Sequence, residues 1–237
     1  MEITLNGIVV IVGNYGSGKT EVAVNLAVAK RQAGVEVRLA DLDLVNPYFR
    51  TREARQILAQ QGIDVVLPDE KYMHADLPIL TPAIGGMLRA PSELTLLDAG
   101  GDDVGVTVLA ALADALKGKA VRMIQVVNPF RPFTETIEGC LKIRREIEAA
   151  ARLPVSGIIG NANLIDETTT DTIYTGYDFV RRLADTTGLP LECITVATGL
   201  LPEIDRKRFS CPILPISRQL VPPWKRAVRI GPRSLNL

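Results

Sequence analysis

A glycine-rich octad near the amino end restricts the fold more than any other part of the chain. Gly13, Asn14, Tyr15, Gly16, Ser17, Gly18, Lys19 and Thr20 fit the pattern G-x-x-x-x-G-K-[ST]. The apolar run Ile8-Val9-Val10-Ile11-Val12 precedes it and a helix-like stretch over residues 19–31 follows, so the octad falls between a strand and a helix. Glycines let backbone amides curl around an anion, a lysine at position 19 reaches the outer phosphates, and the Thr20 hydroxyl suits a phosphate-bound Mg²⁺. The expected ligand is a nucleoside triphosphate, bound by residues 13–20 and the following Glu21.

The rest of the chain agrees with one α/β domain. At 237 residues it is long enough for a single large core. No stretch reaches the roughly 18 continuous apolar residues of a membrane span, and the amino end does not read as a basic signal segment. A cytoplasmic location is the expectation. Cys140, Cys193 and Cys211 are widely spaced and form no C-x-x-C pair, which predicts buried free thiols, not a disulfide framework or a four-cysteine metal site. His74 has no second histidine or cysteine near it, which argues against a zinc site and a histidine-based triad.

Apolar runs alternate with helix-like segments, the order of a mostly parallel sheet with helices on both faces, a three-layer α/β arrangement. Strands are predicted over residues 8–12, 35–40, 64–67, 94–97, 121–127, 156–159, 192–196 and 213–216. Helices are predicted over 19–31, 49–60, 106–116, 134–151 and 171–187, with an interrupted helical segment over 77–88. No internal repeat or flexible linker breaks the run into two domains. Residues 1–205 read as the core and 206–237 as a basic, proline-interrupted extension of it.

Ligands of open α/β sheets sit beyond the carboxyl ends of the strands. Asp41, Asp43 and Asp98 all fall at such ends, on the edge that carries the octad. Mg²⁺ on a nucleotide is held by one or two carboxylates together with phosphate oxygens. Thr20, Asp41 and Asp98 form the expected metal set, and Asp43 is placed to orient a water or another nucleophile.

With these motifs the chain resembles the MinD/ParA/Mrp-like P-loop ATPases, part of a class that also holds signal-recognition GTPases, nitrogenase iron protein and cobyrinic-acid amide synthases. The resemblance rests on residues 13–20, on Asp41-Leu42-Asp43-Leu44-Val45-Asn46 and on Leu96-Leu97-Asp98-Ala99-Gly100-Gly101, and it covers residues 1 to about 205. It implies that Lys19 binds phosphates, that Thr20, Asp41 and Asp98 serve Mg²⁺ and its water shell, and that Asp43 positions the hydrolytic water. It also implies that the Gly101 amide senses the terminal phosphate in a second switch, and that an asparagine after a late strand reads adenine. Asn161 is the better match for that role, with Asn128 and Asn163 as alternatives, and no N-K-x-D sequence favours guanine.

The chain departs from the family at Asn14, where many members carry a lysine that crosses a dimer interface to the partner's nucleotide. A neutral amide cannot supply that charge. The departure argues against a nucleotide-sandwiched homodimer and for slow turnover. Tyr15 reads as exposed on the nucleotide side of the loop, or as packed on a neighbouring loop. Residues 46–53, with Tyr48, Phe49, Arg50 and Arg52, read either as a first switch facing a partner or as a helix start with buried aromatics.

The leading functional expectation is a slow Mg²⁺-dependent ATPase whose switch loops regulate a protein partner. A small-molecule kinase or synthetase, with Asp43 facing an acceptor, and a non-hydrolysing nucleotide sensor are the alternatives. A metallocluster carrier is disfavoured by the missing cysteine pair. After Asp205 the chain has eight basic residues and no acidic ones, with Pro222, Pro223 and Trp224 among them, which predicts a protein- or self-docking arm without a dedicated nucleic-acid motif or membrane helix.

Overall fold

Every residue of Ile8–Val12 is buried, which requires cover on both faces of the strand, and the computed structural model supplies it. The structure describes residues 1–42, 51–66, 82–100, 109–110 and 112–218. In chain order these form β1 (Gly7–Val12), α1 (Lys19–Gln32), β2 (Val37–Asp41), α2 (Thr51–Gln60), β3 (Asp64–Val66), α3 (Pro82–Arg89), β4 (Leu94–Asp98), α4 (Ala113–Leu116), β5 (Val121–Val127), α5 (Ile137–Ala151), β6 (Val155–Gly160), α6 (Thr170–Thr187), β7 (Leu191–Ala197) and β8 (Ile213–Ile216).

The strands form one sheet of eight in the order β3-β2-β4-β1-β5-β6-β7-β8, and every pairing is parallel. β1 therefore lies inside the sheet, flanked by β4 and β5. Side chains alternate between faces along a strand. Val9 and Ile11 enter a core with Val22, Leu26 and Leu58 from α1 and α2, while Ile8, Val10 and Val12 enter a second core with Ile84, Leu88 and Ile147 from α3 and α5. A third cluster packs Ile173, Tyr177, Val180 and Leu183 of α6 over Ile158 and Ile194. At about 25 cal/mol per Å² of apolar surface, such fully buried aliphatic side chains each contribute about 1.5–3 kcal/mol, which makes the two faces of β1 the centre of stability.

Element boundaries differ from the sequence reading where local hydrogen bonds intervene. The second strand starts at Val37 because the Val35 amide still donates to the Lys30 carbonyl at the end of α1. The helix expected from residue 134 starts at Ile137. The Thr134 hydroxyl closes a turn on the carbonyls of Asn128 and Arg131, Phe133 takes a left-handed φ of 69°, and Thr136 caps the helix through the Gly139 amide. α6 begins at Thr170 behind a reciprocal cap between Thr169 and Thr172. β8 pairs with β7, so the sheet continues beyond residue 205. The segment 46–50, residues 77–81 of the interrupted helical segment, residues 101–108, His74 and 219–237 with Trp224 lie outside the described residues, while 82–88 of that segment fall in α3.

Candidate nucleotide-binding site

The octad leaves the carboxyl end of β1 and is shaped by close approaches on two sides. Gly13 has φ 152°, and a Cβ there would lie 2.5 Å from the Val126 carbonyl oxygen of β5 and 2.9 Å from Ser17 Oγ. Gly18, at the cap of α1, has φ 87°, and a Cβ there would collide with Nδ2 of Asn161. The glycine spacing is thus dictated by β5 beneath the loop start and by the turn after β6 beneath its end.

Lys19 is 7% exposed, and its ammonium donates to the Asn14 carbonyl at 3.2 Å, drawing the side chain back across the loop. The Ser17 amide donates to the same carbonyl at 3.2 Å. The Asn14 side chain turns away and donates to the Pro132 carbonyl at 2.7 Å, tying the octad to the loop after β5. Tyr15 is 69% exposed, in accord with its reading as an outward residue. Ser17 Oγ is buried without a hydrogen-bond partner. Thr20 is the second residue of α1 and is partly exposed, and Glu21 accepts from the Asn25 side-chain amide through both its carbonyl and its carboxylate.

Asp41 and Asp98 are both fully buried and stand opposite each other in the β2–β4 register. Asp98 also pairs with Ile11, two residues before Gly13. The Leu42 amide donates to the Asp98 carbonyl at 2.8 Å, and Ala99 donates to the Ile11 carbonyl at 3.1 Å, so the strand ends are laced together. Two carboxylates thereby stand at the ends of the adjacent strands β2 and β4, and β4 pairs with β1, whose carboxyl end leads into the octad and Lys19. Buried charges persist when paired, hydrogen-bonded or bound to metal, and this hard-oxygen donor set with Thr20 suits Mg²⁺. Asp43 and Gly101 lie outside the described residues.

Asn161 is 4% exposed and has both ends of its amide engaged by the protein. It donates to the Ser17 carbonyl at 2.6 Å and accepts from the Thr195 hydroxyl at 2.5 Å. It is the strut that holds the octad against β6 and β7. Asn128 is similarly occupied, donating to the Asn163 carbonyl at 2.9 Å and accepting from the Phe130 amide at 3.1 Å. Asn163 accepts from the Ile165 amide at 2.6 Å. These asparagines build the loop framework of the site. Thr195 and Pro132 were not picked out from the sequence, because each acts through a single long-range bond that no local pattern marks.

The three cysteines are buried and take no part in the site. Burial pushes the Cys140 thiol up to about 12 and Cys211 up to about 11, and Cys193 is raised for the same reason. They are neutral packing residues at physiological pH.

No family profile and no curated protein matches the sequence. Solved structures do match. Cell division protein FtsY from Thermotoga maritima aligns with a TM-score of 0.56 and 22% identity over 83% of this chain and 66% of that one. The signal recognition particle receptor FtsY from Elizabethkingia anophelis, in complex with GDP, gives 0.55 and 16% over 83% and 59%. A nucleotide-binding protein from Archaeoglobus fulgidus, in complex with ADP, gives 0.51 and 18% over 90% and 84%. The chain therefore spans 59–66% of these two FtsY chains. At such identities the likeness is one of fold, and the single eight-stranded parallel sheet with its octad after β1 is an α/β P-loop NTPase fold.

Proposed function

We propose that the chain binds a nucleoside triphosphate with Mg²⁺ on the loop 13–20 and is a slow ATPase of the MinD/ParA/Mrp-like branch, whose switch loops signal nucleotide state to a protein partner. The observation that carries this reading is the placement of the buried Asp41 and Asp98 at the ends of β2 and β4, beside the β1 end from which the octad leads to Lys19, with glycines required at 13 and 18 by the close approach of β5 and Asn161. The loop amides and Lys19 bind and orient the phosphates, and Asp41, Asp98 and Thr20 hold the cation directly or through its water. The cation, when bound, neutralises phosphate charge. Catalysis in such a site is chiefly positioning and charge stabilisation. Asp43 is the proposed orienter of water, and Gly101 the proposed sensor of the terminal phosphate.

The choice of ATP over GTP rests on the absence of an N-K-x-D sequence. Asn161 supports nucleotide binding through the loop it anchors, and a direct base contact would use its second amide hydrogen or the remaining lone pair of its oxygen. The test is competition binding of ATP against GTP, followed by hydrolysis under multiple turnover. Tighter ATP binding with slow phosphate release is expected. Preference for GTP would overturn the base assignment, and tight binding without turnover would make the protein a nucleotide sensor.

A further inference from the structure

The loop between β5 and α5 runs Asn128-Pro129-Phe130-Arg131-Pro132-Phe133-Thr134, and its backbone is fixed from several sides. The Arg131 amide donates to the Asn128 carbonyl at 3.2 Å, and the Arg131 carbonyl accepts from the Thr134 amide and hydroxyl, each at 3.1 Å. The Asn128 side chain holds the Asn163 carbonyl, and the Pro132 carbonyl holds Asn14 of the phosphate loop. Two prolines bound the arginine and restrict its backbone further.

This frame lays Arg131 against the middle of the octad. Its Cδ and Nε lie 3.8 and 3.9 Å from where a Cβ on Gly16 would be. Nε is buried and has no hydrogen-bond partner. An arginine donor withdrawn from water without an acceptor, beside a loop of anion-gathering amides, is arranged for an anion that arrives with the ligand. Guanidinium presents a planar fork suited to phosphate oxygens, and its charge persists at any physiological pH. The neighbouring Asn14 is neutral and already engaged with Pro132, so it does not compete for that place.

We propose that Arg131 is a polyphosphate ligand supplied in cis by the loop after β5, adding a cationic contact to those of Lys19 and the loop amides. The proposal rests on the nucleotide-binding reading above. The complementary possibility, that Arg131 serves only as packing on Gly16, predicts a change in stability without a change in phosphate affinity.

The experiment compares the full chain with Arg131→Ala and Arg131→Lys in Mg²⁺-containing titrations of fluorescent ATP and in competition by inorganic pyrophosphate, with melting temperature as the fold control. Pyrophosphate has no base or sugar, so it reads the phosphate contact alone. Loss of a charge-assisted contact corresponds to about a tenfold or greater weakening. Arg131→Ala is expected to weaken both ligands by that factor at an unchanged melting temperature, and Arg131→Lys is expected to recover part of the loss. If the parent chain binds and Arg131→Ala binds ATP and pyrophosphate equally well, the Arg131 assignment is overturned while the nucleotide site stands. If the parent chain binds neither ligand, the nucleotide reading fails first and Arg131 loses its role with it.

Discussion

Replacing Gly18 by alanine tests how the phosphate loop is held. The residue has φ 87°, a left-handed conformation that costs a residue with a Cβ about 1–2 kcal/mol. The new methyl also drives into Nδ2 of Asn161, which donates to the Ser17 carbonyl at 2.6 Å while its Oδ1 is fixed by Thr195 at 2.5 Å. Yielding to the methyl breaks at least the bond to Ser17, for a further loss of about 0.5–1.5 kcal/mol. Gly18→Ala is therefore expected to destabilise the fold by about 2–3 kcal/mol. Asn161→Ala on its own leaves the Ser17 carbonyl and Thr195 hydroxyl without their partner and costs about 1–3 kcal/mol. In the double mutant the collision is gone, and only the left-handed strain is added to the loss of Asn161. The two changes should then be non-additive, with the pair more stable than the sum of singles by about 1 kcal/mol. Urea unfolding of the four proteins measures this directly. Additivity within about 0.3 kcal/mol would refute the strut as described.

Other predictions follow from the same arrangement. Lys19→Ala removes a phosphate contact and not core volume, so circular dichroism should be preserved while triphosphate affinity falls by about tenfold or more. Asp43→Ala should still bind ATP but lose single-turnover hydrolysis, and equal rates in mutant and parent would remove the water-orienting role. The thiols should resist an aqueous thiol reagent in the native state and all react after denaturation; rapid native labelling would contradict their burial. Because burial raises Cys140 and Cys211 above the ordinary thiol value of 9.0, the native state holds these protons where the unfolded state releases them. Their contribution is constant below about pH 9, and stability should decline from there toward pH 11–12, as denaturant midpoints across that range will reveal. Truncation after Ser217 should abolish partner capture or self-association at physiological salt if the basic segment is a docking arm, and tail-dependent recruitment to liposomes would contradict that role.

The fold was largely legible because its signals are local. The unbroken apolar run Ile8–Val12, the helix-ending Gly34 and the Asp41 and Asp98 strand ends are each visible within a few residues. The helix after β5 is expected from Thr134 and starts at Ile137, three residues later, because the polar residues 134–136 suit a helical first turn as well as a capping loop. The left-handed Phe133 and the Thr134 hydroxyl turn decide against helix there, and neither is a propensity signal. The site divides in the same way. Gly13 to Thr20 declare themselves by spacing. The sequence marks Asn161 as a base reader, whereas its bonds reach 144 residues back to Ser17 and 34 ahead to Thr195, distances that a linear pattern does not encode. Arg131 is marked only by its three-dimensional approach to Gly16.

Calorimetric titration of the chain with ATP, in the presence and absence of Mg²⁺ and alongside Lys19→Ala, tests the central claim most directly. Saturable one-site binding that tightens with Mg²⁺ and weakens by about tenfold or more in the folded Lys19→Ala protein is the predicted result. Absence of binding in the parent chain, or equal affinity in the folded mutant, would contradict it.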